Sequence, residues 1–149
     1  MAAGAWTFYN EFKRKIGNAE IDLDGATWRM SLFTSASNAA TATLSVYGSV
    51  TSEVTEANGY SSSGKALSGV TWATGASASE YRFDCTAVIW TGTGGTIPNV
   101  RYAVIWATGA SAGARHLMCY SALSTAQFTV GSGNTLTVTP SSNGVFELN

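Results

Sequence analysis

Residues 99–108 read NVRYAVIWAT and contain the clearest strand pattern in the chain. Branched aliphatic and aromatic residues fall on every second position: Val100, Tyr102, Val104 and Trp106. Side chains at this spacing point to the same face of a β-strand. Pro98 and Asn99 are expected to stop the chain before the strand, and Thr108 with Gly109 to turn it afterwards. The pattern predicts a strand in the interior of a sheet.

The segment Trp-Ala-Thr-Gly-Ala-Ser-Ala occurs twice, at residues 72–78 and 106–112, which are 34 positions apart. Cys85 and Cys119 follow the two copies at the same spacing, and residues 88–92 repeat the end of the strand as Val-Ile-Trp-Thr-Gly. A solenoid would need several full repeats. We interpret the repetition as one kind of hairpin used more than once, with a true duplication as the alternative.

The composition is poor in charge and rich in small polar residues. Charged residues make up 11% of the 149 positions, against about 25% in an ordinary domain. The chain has 18 Ser, 19 Thr and a formal net charge of -1. No basic face is present for a nucleic acid, and no run reaches the ~20 apolar residues of a membrane span. We expect a single soluble domain, made in the cytoplasm without a secretory signal, whose surface favours self-association.

The N-terminal segment, about residues 1–17, is predicted to form a helical arm. Apolar residues share one helical face at spacings of three and four: Ala5, Phe8, Tyr9, Phe12 and Ile16. Gly17 and Asn18 are expected to end the helix in the left-handed conformation. A sandwich needs no helix to close its core, so we expect the β domain to fold without the arm. The candidate protein-interface residues are therefore Trp6, Phe8, Tyr9, Phe12, Lys13 and Arg14.

Short β-patterned segments with turn signals between them make up most of the remaining chain. The predicted strands cover residues 28–33, 65–73, 80–90, 100–108, 115–123, 127–130, 135–139 and 144–148. Residues 34–43 read as a surface loop, residues 44–57 are ambiguous between a helical turn and a strand, and residues 91–96 read as a hairpin loop. The pattern predicts an all-β fold, an antiparallel β-sandwich or jelly roll with one short N-terminal helix.

The search for catalytic and metal-binding residues favours none. Residues 109–113 match the G-x-S-x-G pattern around Ser111, but a nucleophile elbow needs a strand-to-helix turn and a distant histidine. His116, the one histidine, is only five positions further and is expected to be a partly exposed strand residue. Asp22 and Asp24 are interpreted as turn residues, because the other ligands of a calcium loop are missing. We predict no enzyme activity, no cofactor and no metal.

The two cysteines and the aromatic residues are interpreted mainly as core. Cys85 and Cys119 lie in apolar patterns and are expected to be buried free thiols. Most of the five Trp and six Tyr fall on inward-facing positions, so the core is favoured over a sugar-stacking platform.

Several segments follow one another in an order that is itself informative. They are IDLD at 21–24, WRMSLFTS at 28–35, EV at 53–54, ANGY at 57–60, GKAL at 64–67, FD at 83–84, Trp90 and RYAVI at 101–105. This ordered series, which spans most of the chain, resembles the head decoration (capsid cement) proteins of tailed bacteriophages.

The resemblance implies a jelly-roll-like domain on the outside of the capsid, which clamps neighbouring major capsid subunits. It also implies a virion location, a homodimer or homotrimer, and no catalytic motif. Two other classes stay open as alternatives. One is a glycan- or host-binding module of a phage tail or fibre, which would need Trp or Tyr on an outer face. The other is an enzyme acting through Ser111.

Overall fold

The structure, a computed structural model, describes residues 5–108 and 115–148. Within these ranges the chain forms one α-helix, a short 3-10 turn at Tyr47–Ser49 and twelve strands. In chain order the elements are β1 (Thr7–Phe8), α1 (Asn10–Gly17), β2 (Thr27–Phe33), β3 (Lys65–Ala66), β4 (Thr71–Thr74), β5 (Tyr81–Asp84), β6 (Val88–Thr91), β7 (Ile97–Val100), β8 (Tyr102–Thr108), β9 (Leu117–Ala122), β10 (Phe128–Val130), β11 (Thr135–Val138) and β12 (Phe146–Leu148).

The strands form an antiparallel β-sandwich, as the sequence predicts. A five-stranded sheet has the order β1-β9-β8-β2-β3, and three smaller sheets contain β12-β5-β4, β6 with β11, and β7 with β10. The main core collects buried side chains from the large sheet, such as Met30 and Ile105, and from the smaller sheets, such as Phe83, Trp90 and Leu136. The predicted all-β fold with one short helix is therefore confirmed.

β8 lies in the middle of the large sheet, between β9 and β2, so the prediction of an interior strand is confirmed. Its seven residues pair with all seven of β2, from Thr27 opposite Thr108 to Phe33 opposite Tyr102. Ala103, Ile105 and Ala107 face the main core, while Val104 and Trp106 belong to a second buried cluster on the opposite face. Both faces of β8 are therefore covered.

The second cluster lies under the long segment of residues 34–64, which we call the cover segment. Phe33, Ala39 and Tyr47 pack there against Val104, Trp106 and Leu117. The cover segment has little regular structure beyond the turn at Tyr47–Ser49. Residues 44–57, which the sequence left ambiguous between a helical turn and a strand, contain a single helical turn. The large sheet is thus enclosed between the main core and this cover.

The predicted helix at residues 5–16 begins later than its apolar spacing suggests. Thr7 and Phe8 pair with Tyr120 and Cys119 and form the edge strand of the large sheet. Tyr9 is extended, with φ -71° and ψ 143°, and the helix begins at Asn10. The unpaired edge of β9 supplies backbone partners that a helix at this position would not use, so tertiary pairing overrides the local helical pattern.

The left-handed residue that ends α1 is also not one of the two that were predicted. Asn18 has φ -93°, and the positive φ of 55° occurs at Ala19. The Ala19 N–H donates to the Ile16 carbonyl at 3.1 Å, and the Glu20 N–H donates to the Lys15 carbonyl at 2.9 Å. This pair of bonds is the Schellman arrangement, placed two residues after Gly17.

Two predicted strands are each divided into two shorter ones, and the predicted strand 100–108 loses its first residue to β7. The segment 65–73 breaks around Gly69, whose φ of +58° a strand does not use. The segment 80–90 breaks after Asp84, where the carboxylate accepts the Cys85 N–H at 2.8 Å. Arg101 separates β7 from β8, so Val100 packs in the main core and not beside Trp106. Seven or eight strands were predicted, and local backbone interactions raise the count.

The hairpin predicted at residues 91–96 is wrong. β6 pairs with β11 and β7 pairs with β10, so the two strands joined by this loop lie in different sheets. Pro98 and Asn99 do not stop the chain but lie inside β7. The short loop leads from the sheet of β6 and β11 to the sheet of β7 and β10. The backbone groups of β6 and β7 are therefore paired with later strands and not with each other.

Candidate interaction surface

Two of the predicted interface residues are buried within the chain itself. Tyr9 is 0% exposed and packs in the second cluster, with its hydroxyl donating to the Ala39 carbonyl at 2.6 Å. Phe12 is 2% exposed and packs in the main core, edge-on to Trp28. Burial in these two clusters leaves neither side chain free to contact a partner. The arm therefore contributes one side chain to each buried cluster, and folding of the β domain without the arm stays a prediction.

The other four predicted interface residues lie at the surface, and their contact with a partner stays a prediction. Trp6 and Phe8 are half-buried, whereas Lys13 and Arg14 are exposed. Phe8 lies edge-on to Phe146 of β12, with ring centroids 5.0 Å apart. The N-terminal segment therefore joins the three-stranded sheet at its β12 side.

The three-stranded sheet carries aromatic residues in rows. In one row Phe83 lies opposite both Trp72 and Phe146. Two residues along β5, and hence on the same face, Tyr81 lies opposite Leu148. Phe83 is 0% exposed, yet Tyr81 is 49% exposed and Leu148 is 50% exposed. The apolar face of this sheet is therefore buried at Phe83 and about half exposed at Tyr81 and Leu148.

Phe146 connects this row to the helix. Its ring is stacked near Phe83 at 5.7 Å and tilted against Trp72 at 5.7 Å. It also meets Phe12 edge-on at 6.2 Å. Tyr81 lies 5.7 Å from Trp72 on the outer side. Aromatic pairs at these separations stabilise one another beyond the area they bury, so the rings form one packed group.

Shallow grooves flank these rings. One of about 430 Å³ is lined by Trp72, Ser79, Tyr81 and Leu148. A second, of about 100 Å³, runs between α1 and β12. Its lining consists of Phe8, Phe12, Lys13, Ile16, Phe146, Glu147 and Leu148. We define the aromatic surface as Phe8, Lys13, Trp72, Tyr81, Phe146 and Leu148.

The charges beside the aromatic surface are mostly neutralised within the chain. Arg14 forms ion pairs with Glu11 and with Glu20, the latter at 2.7 Å, and Lys15 pairs with Glu20 at 3.0 Å. These cations, with Arg14 as the largest cause, lower the pKa of Glu20 to about 2. Within the described part of the chain, Lys13 has no carboxylate at ion-pair distance. Lys13 is therefore the cation of this helix that is available to an acidic partner.

The catalytic candidates are not assembled into a site within the described residues. Ser111 and its glycines lie outside the described ranges. His116 is 8% exposed, buried and not partly exposed as predicted, because it bridges to Val46 under the cover segment. Burial, followed by the charge of Lys15, lowers its pKa, and its Nδ1 has no hydrogen-bond partner.

The two cysteines are free and buried, as predicted. Burial raises the pKa of Cys85 to about 12 and raises the pKa of Cys119 well above its usual range. A thiol held protonated in this way is a poor nucleophile and a poor metal ligand. Among the residues that the structure describes, no group of three or more His, Cys, Asp or Glu side chains could hold a metal ion.

A half-buried carboxylate network was not predicted from the sequence. Glu53 accepts hydrogen bonds from the hydroxyls of Tyr47 and Tyr60, the latter at 2.6 Å, and from the Ser63 N–H at 2.8 Å. Burial, followed by the hydrogen bond to Glu53, raises the pKa of Tyr47 to about 12. These hydrogen bonds connect different parts of the cover segment to one another, where it lies over the large sheet. No spacing rule links the four residues, since the segment lacks regular structure.

Comparisons of the chain with protein-family models, with curated proteins and with solved structures return no match. In residues 5–108 and 115–148 no helix has the length and apolar character needed to cross a membrane. The site is therefore described by its own geometry: an aromatic surface at the end of the three-stranded sheet, bordered by one exposed cation.

Proposed function

We propose that the protein is a structural virion protein that binds the outside of a phage capsid and cements neighbouring major capsid subunits. The ordered segments that resemble capsid cement proteins support this proposal, and the β-sandwich is compatible with it. In this role the protein is not an enzyme, requires no cofactor and resides on the capsid surface.

The observation that carries the proposal is the aromatic surface. Tyr81 and Leu148 are about half exposed, although they continue the buried row of Phe83. Exposed apolar groups of this kind, rimmed by polar residues, are typical of protein-binding sites. Tyr and Trp are also enriched among the residues that dominate binding energy at interfaces. Lys13 beside them favours an acidic patch on the capsid.

Co-sedimentation with capsid shells tests the proposal. We expect the protein to bind assembled, expanded shells far better than isolated capsid subunits, because a cementing contact spans two subunits. The double variant Tyr81→Ser/Leu148→Ser should bind shells at least about tenfold more weakly, a loss of about 1.4 kcal/mol. Ile89→Ser is the matched control, since Ile89 is 47% exposed but lies on β6, in a different sheet from Tyr81 and Leu148. Equal binding to shells and to isolated subunits would contradict cementing.

A second function, glycan binding by a tail or fibre protein, is favoured by one observation. Trp72 and Tyr81 lie side by side over an open groove of about 430 Å³ that also includes Ser79. Aromatic rings with a neighbouring hydroxyl suit the apolar face and the polar edge of a sugar. Binding to host surface polysaccharide that is lost in Trp72→Ala, together with no binding to shells, would select this function instead.

A further inference from the structure

The three-stranded sheet ends at β4. Its strand order is β12-β5-β4, so within the residues that the structure describes β4 pairs with β5 alone. Three of its four residues, Thr71, Ala73 and Thr74, are exposed, and Trp72 is half-buried. β4 is therefore an exposed edge strand.

The register shows how the backbone of Thr74 is oriented. The Gly75 N–H donates to the Glu80 carbonyl at 2.8 Å. This bond flanks the pair formed by Thr74 and Tyr81, which makes that pair a non-hydrogen-bonded one. The N–H and C=O of Thr74 consequently point away from β5, towards the open edge.

The backbone of Trp72 has the same orientation. Hydrogen-bonded and non-hydrogen-bonded pairs alternate along an antiparallel ladder, so the pair of Trp72 and Phe83 is also non-hydrogen-bonded. The Phe83 carbonyl agrees with this, because it accepts the Val145 N–H at 2.9 Å on the side of β12. Trp72 and Thr74 therefore both present an N–H and a C=O to the open edge.

This edge lacks the charge that keeps edge strands apart. Residues 66–79 contain no Asp, Glu, Lys, Arg, His or Pro. Two other edge strands, β3 and β12, carry Lys65 and Glu147. Natural proteins commonly protect free edges with charged residues or Pro. An uncharged edge brings no like charges face to face when it meets an identical edge.

We infer that β4 is an interface between two copies of the chain, which pair edge to edge and antiparallel across a two-fold axis. The two residues with outward backbone groups set the register. Trp72 of each copy lies opposite the partner's Thr74, and Ala73 lies opposite the partner's Ala73 on the axis. Both outward residues then form hydrogen-bonded pairs. The same strand is used on both copies, so the assembly closes as a dimer.

The side chains suit this register. Trp72 and Thr74 point to one face of the sheet, so each large ring meets the small side chain of the partner's Thr74. The two Ala73 methyl groups meet at the close, non-hydrogen-bonded pair. Arg82 lies opposite Ala73 in β5. Three strand spacings, about 14 Å, would separate it from the partner's Arg82, which is farther than the Debye length of about 8 Å.

Sedimentation equilibrium of the full chain, over a wide range of concentration, tests this inference. We expect a dimer that dissociates on dilution, because β4 has only four residues. Ala73→Lys places two like charges directly opposite each other and should weaken dimerisation by about fivefold or more, and so should Ala73→Glu. An equimolar mixture of the two variants should dimerise again. Thr129→Lys is the matched control, since it adds the same charge at an exposed position of β10 and should leave the dimer intact.

A proline variant tests the backbone contribution separately. Thr74→Pro removes the N–H that points to the open edge, where an edge strand tolerates proline, and should weaken dimerisation by at least about tenfold. Thr74→Ala keeps that N–H and should dimerise as the wild type does. Circular dichroism and a thermal melt check that both variants are folded.

The inference rests on the edge of β4 and not on the proposed capsid binding, so either can fail without the other. A wild-type protein that stays monomeric at every concentration would overturn the inference, whatever its binding to shells. So would a trimer, or a dimer that Ala73→Lys and folded Thr74→Pro both leave unchanged. A mixture of Ala73→Lys and Ala73→Glu that remains monomeric would overturn the register.

Discussion

Trp72 and Trp106 begin the two copies of the same seven-residue segment, and both have the same cross-strand register. Trp72 lies opposite Phe83, and Trp106 lies opposite Leu117, so the partners are 34 positions apart just as the tryptophans are. In both copies the strand pairs antiparallel with the strand that follows it. The interpretation of the repetition as a reused hairpin agrees with these pairings.

The surroundings of the two side chains nevertheless differ. Trp106 is 1% exposed, stacks on Tyr47 at 4.2 Å and donates its indole N–H to the Ser31 hydroxyl at 3.0 Å. Trp72 is half-buried beside Phe146 and Tyr81. β8 lies in the middle of its sheet under the cover segment, whereas β4 is an edge strand. The local sequence therefore determines the pairing, and the layers above each sheet determine whether the same residue is core or surface.

Replacing each tryptophan by alanine should give the largest difference in unfolding free energy between the two copies. Trp106→Ala should lower the free energy of unfolding by about 3–5 kcal/mol, because a fully buried ring leaves a cavity. Trp72→Ala should lower it by only about 1 kcal/mol, since the ring is partly exposed before the change. Urea unfolding of both variants measures the difference. Equal losses would show that the cover segment does not enclose Trp106 as described.

The stability of the folded chain should fall at high pH because of the two buried thiols, Cys85 and Cys119, that follow the repeated segments. The unfolded chain ionises Cys85 and Cys119 near their ordinary pKa of 9.0, while burial holds both protonated in the folded chain. The unfolded state therefore binds fewer protons above pH 9, and stability falls as the pH rises from there towards 12. Between pH 8 and pH 10 we expect a loss of about 1–2 kcal/mol per thiol.

The double variant Cys85→Ala/Cys119→Ala serves as the control for this pH dependence. Its urea unfolding should decline less steeply above pH 9 than that of the wild type. The remaining decline would come from buried tyrosines such as Tyr47, whose pKa is also raised. Parallel curves for the two proteins would contradict the burial of the thiols.

Removing the hydroxyl partner of Trp106 should have a smaller effect. Ser31→Ala leaves the buried indole N–H without its acceptor, which we expect to cost about 1–3 kcal/mol of unfolding free energy. Ser61→Ala is the matched control, because Ser61 is exposed and should change stability by less than about 0.5 kcal/mol. A Ser31→Ala protein as stable as Ser61→Ala would mean that Trp106 finds another acceptor.

The smallest expected effect is a difference between the alkylation rates of the two cysteines. Cys119 is 0% exposed in the central part of the large sheet, and Cys85 is 7% exposed after β5. Native alkylation at pH 8 should therefore label Cys85 slowly and Cys119 more slowly still, while both react quickly in urea. Mass spectrometry after a time course measures the two rates. Faster labelling of Cys119 would reverse the order of burial that distinguishes the two copies.

The fold class and the central strand could be predicted because alternation and turn residues are local signals. The interior position of β8 followed from seven residues that are nearly all apolar. The broken strands could not be predicted in the same way. Gly69 and the Asp84 side chain interrupt pairing through backbone conformations that apolar spacing does not encode.

The N-terminal segment and the aromatic surface could not be predicted for a different reason, because both depend on contacts between residues far apart in the sequence. Phe8 fits a helical face equally well, and only the free edge of β9, formed by distant residues, draws it into a strand. The aromatic surface combines residues from both ends and the middle of the chain. Trp72 was noticed as part of a repeat and Leu148 as part of a tail strand, but their proximity depends on the order of the strands.

Imaging the protein on phage particles by electron cryomicroscopy tests the central claim most directly. We predict density for the β-sandwich on the outside of the capsid, across the boundary between neighbouring capsid subunits. Tyr81 and Leu148 should face the shell, and Ile89 should face solvent. Density at the tail or fibre, or a sandwich on the capsid whose aromatic surface points away from the shell, would contradict the account.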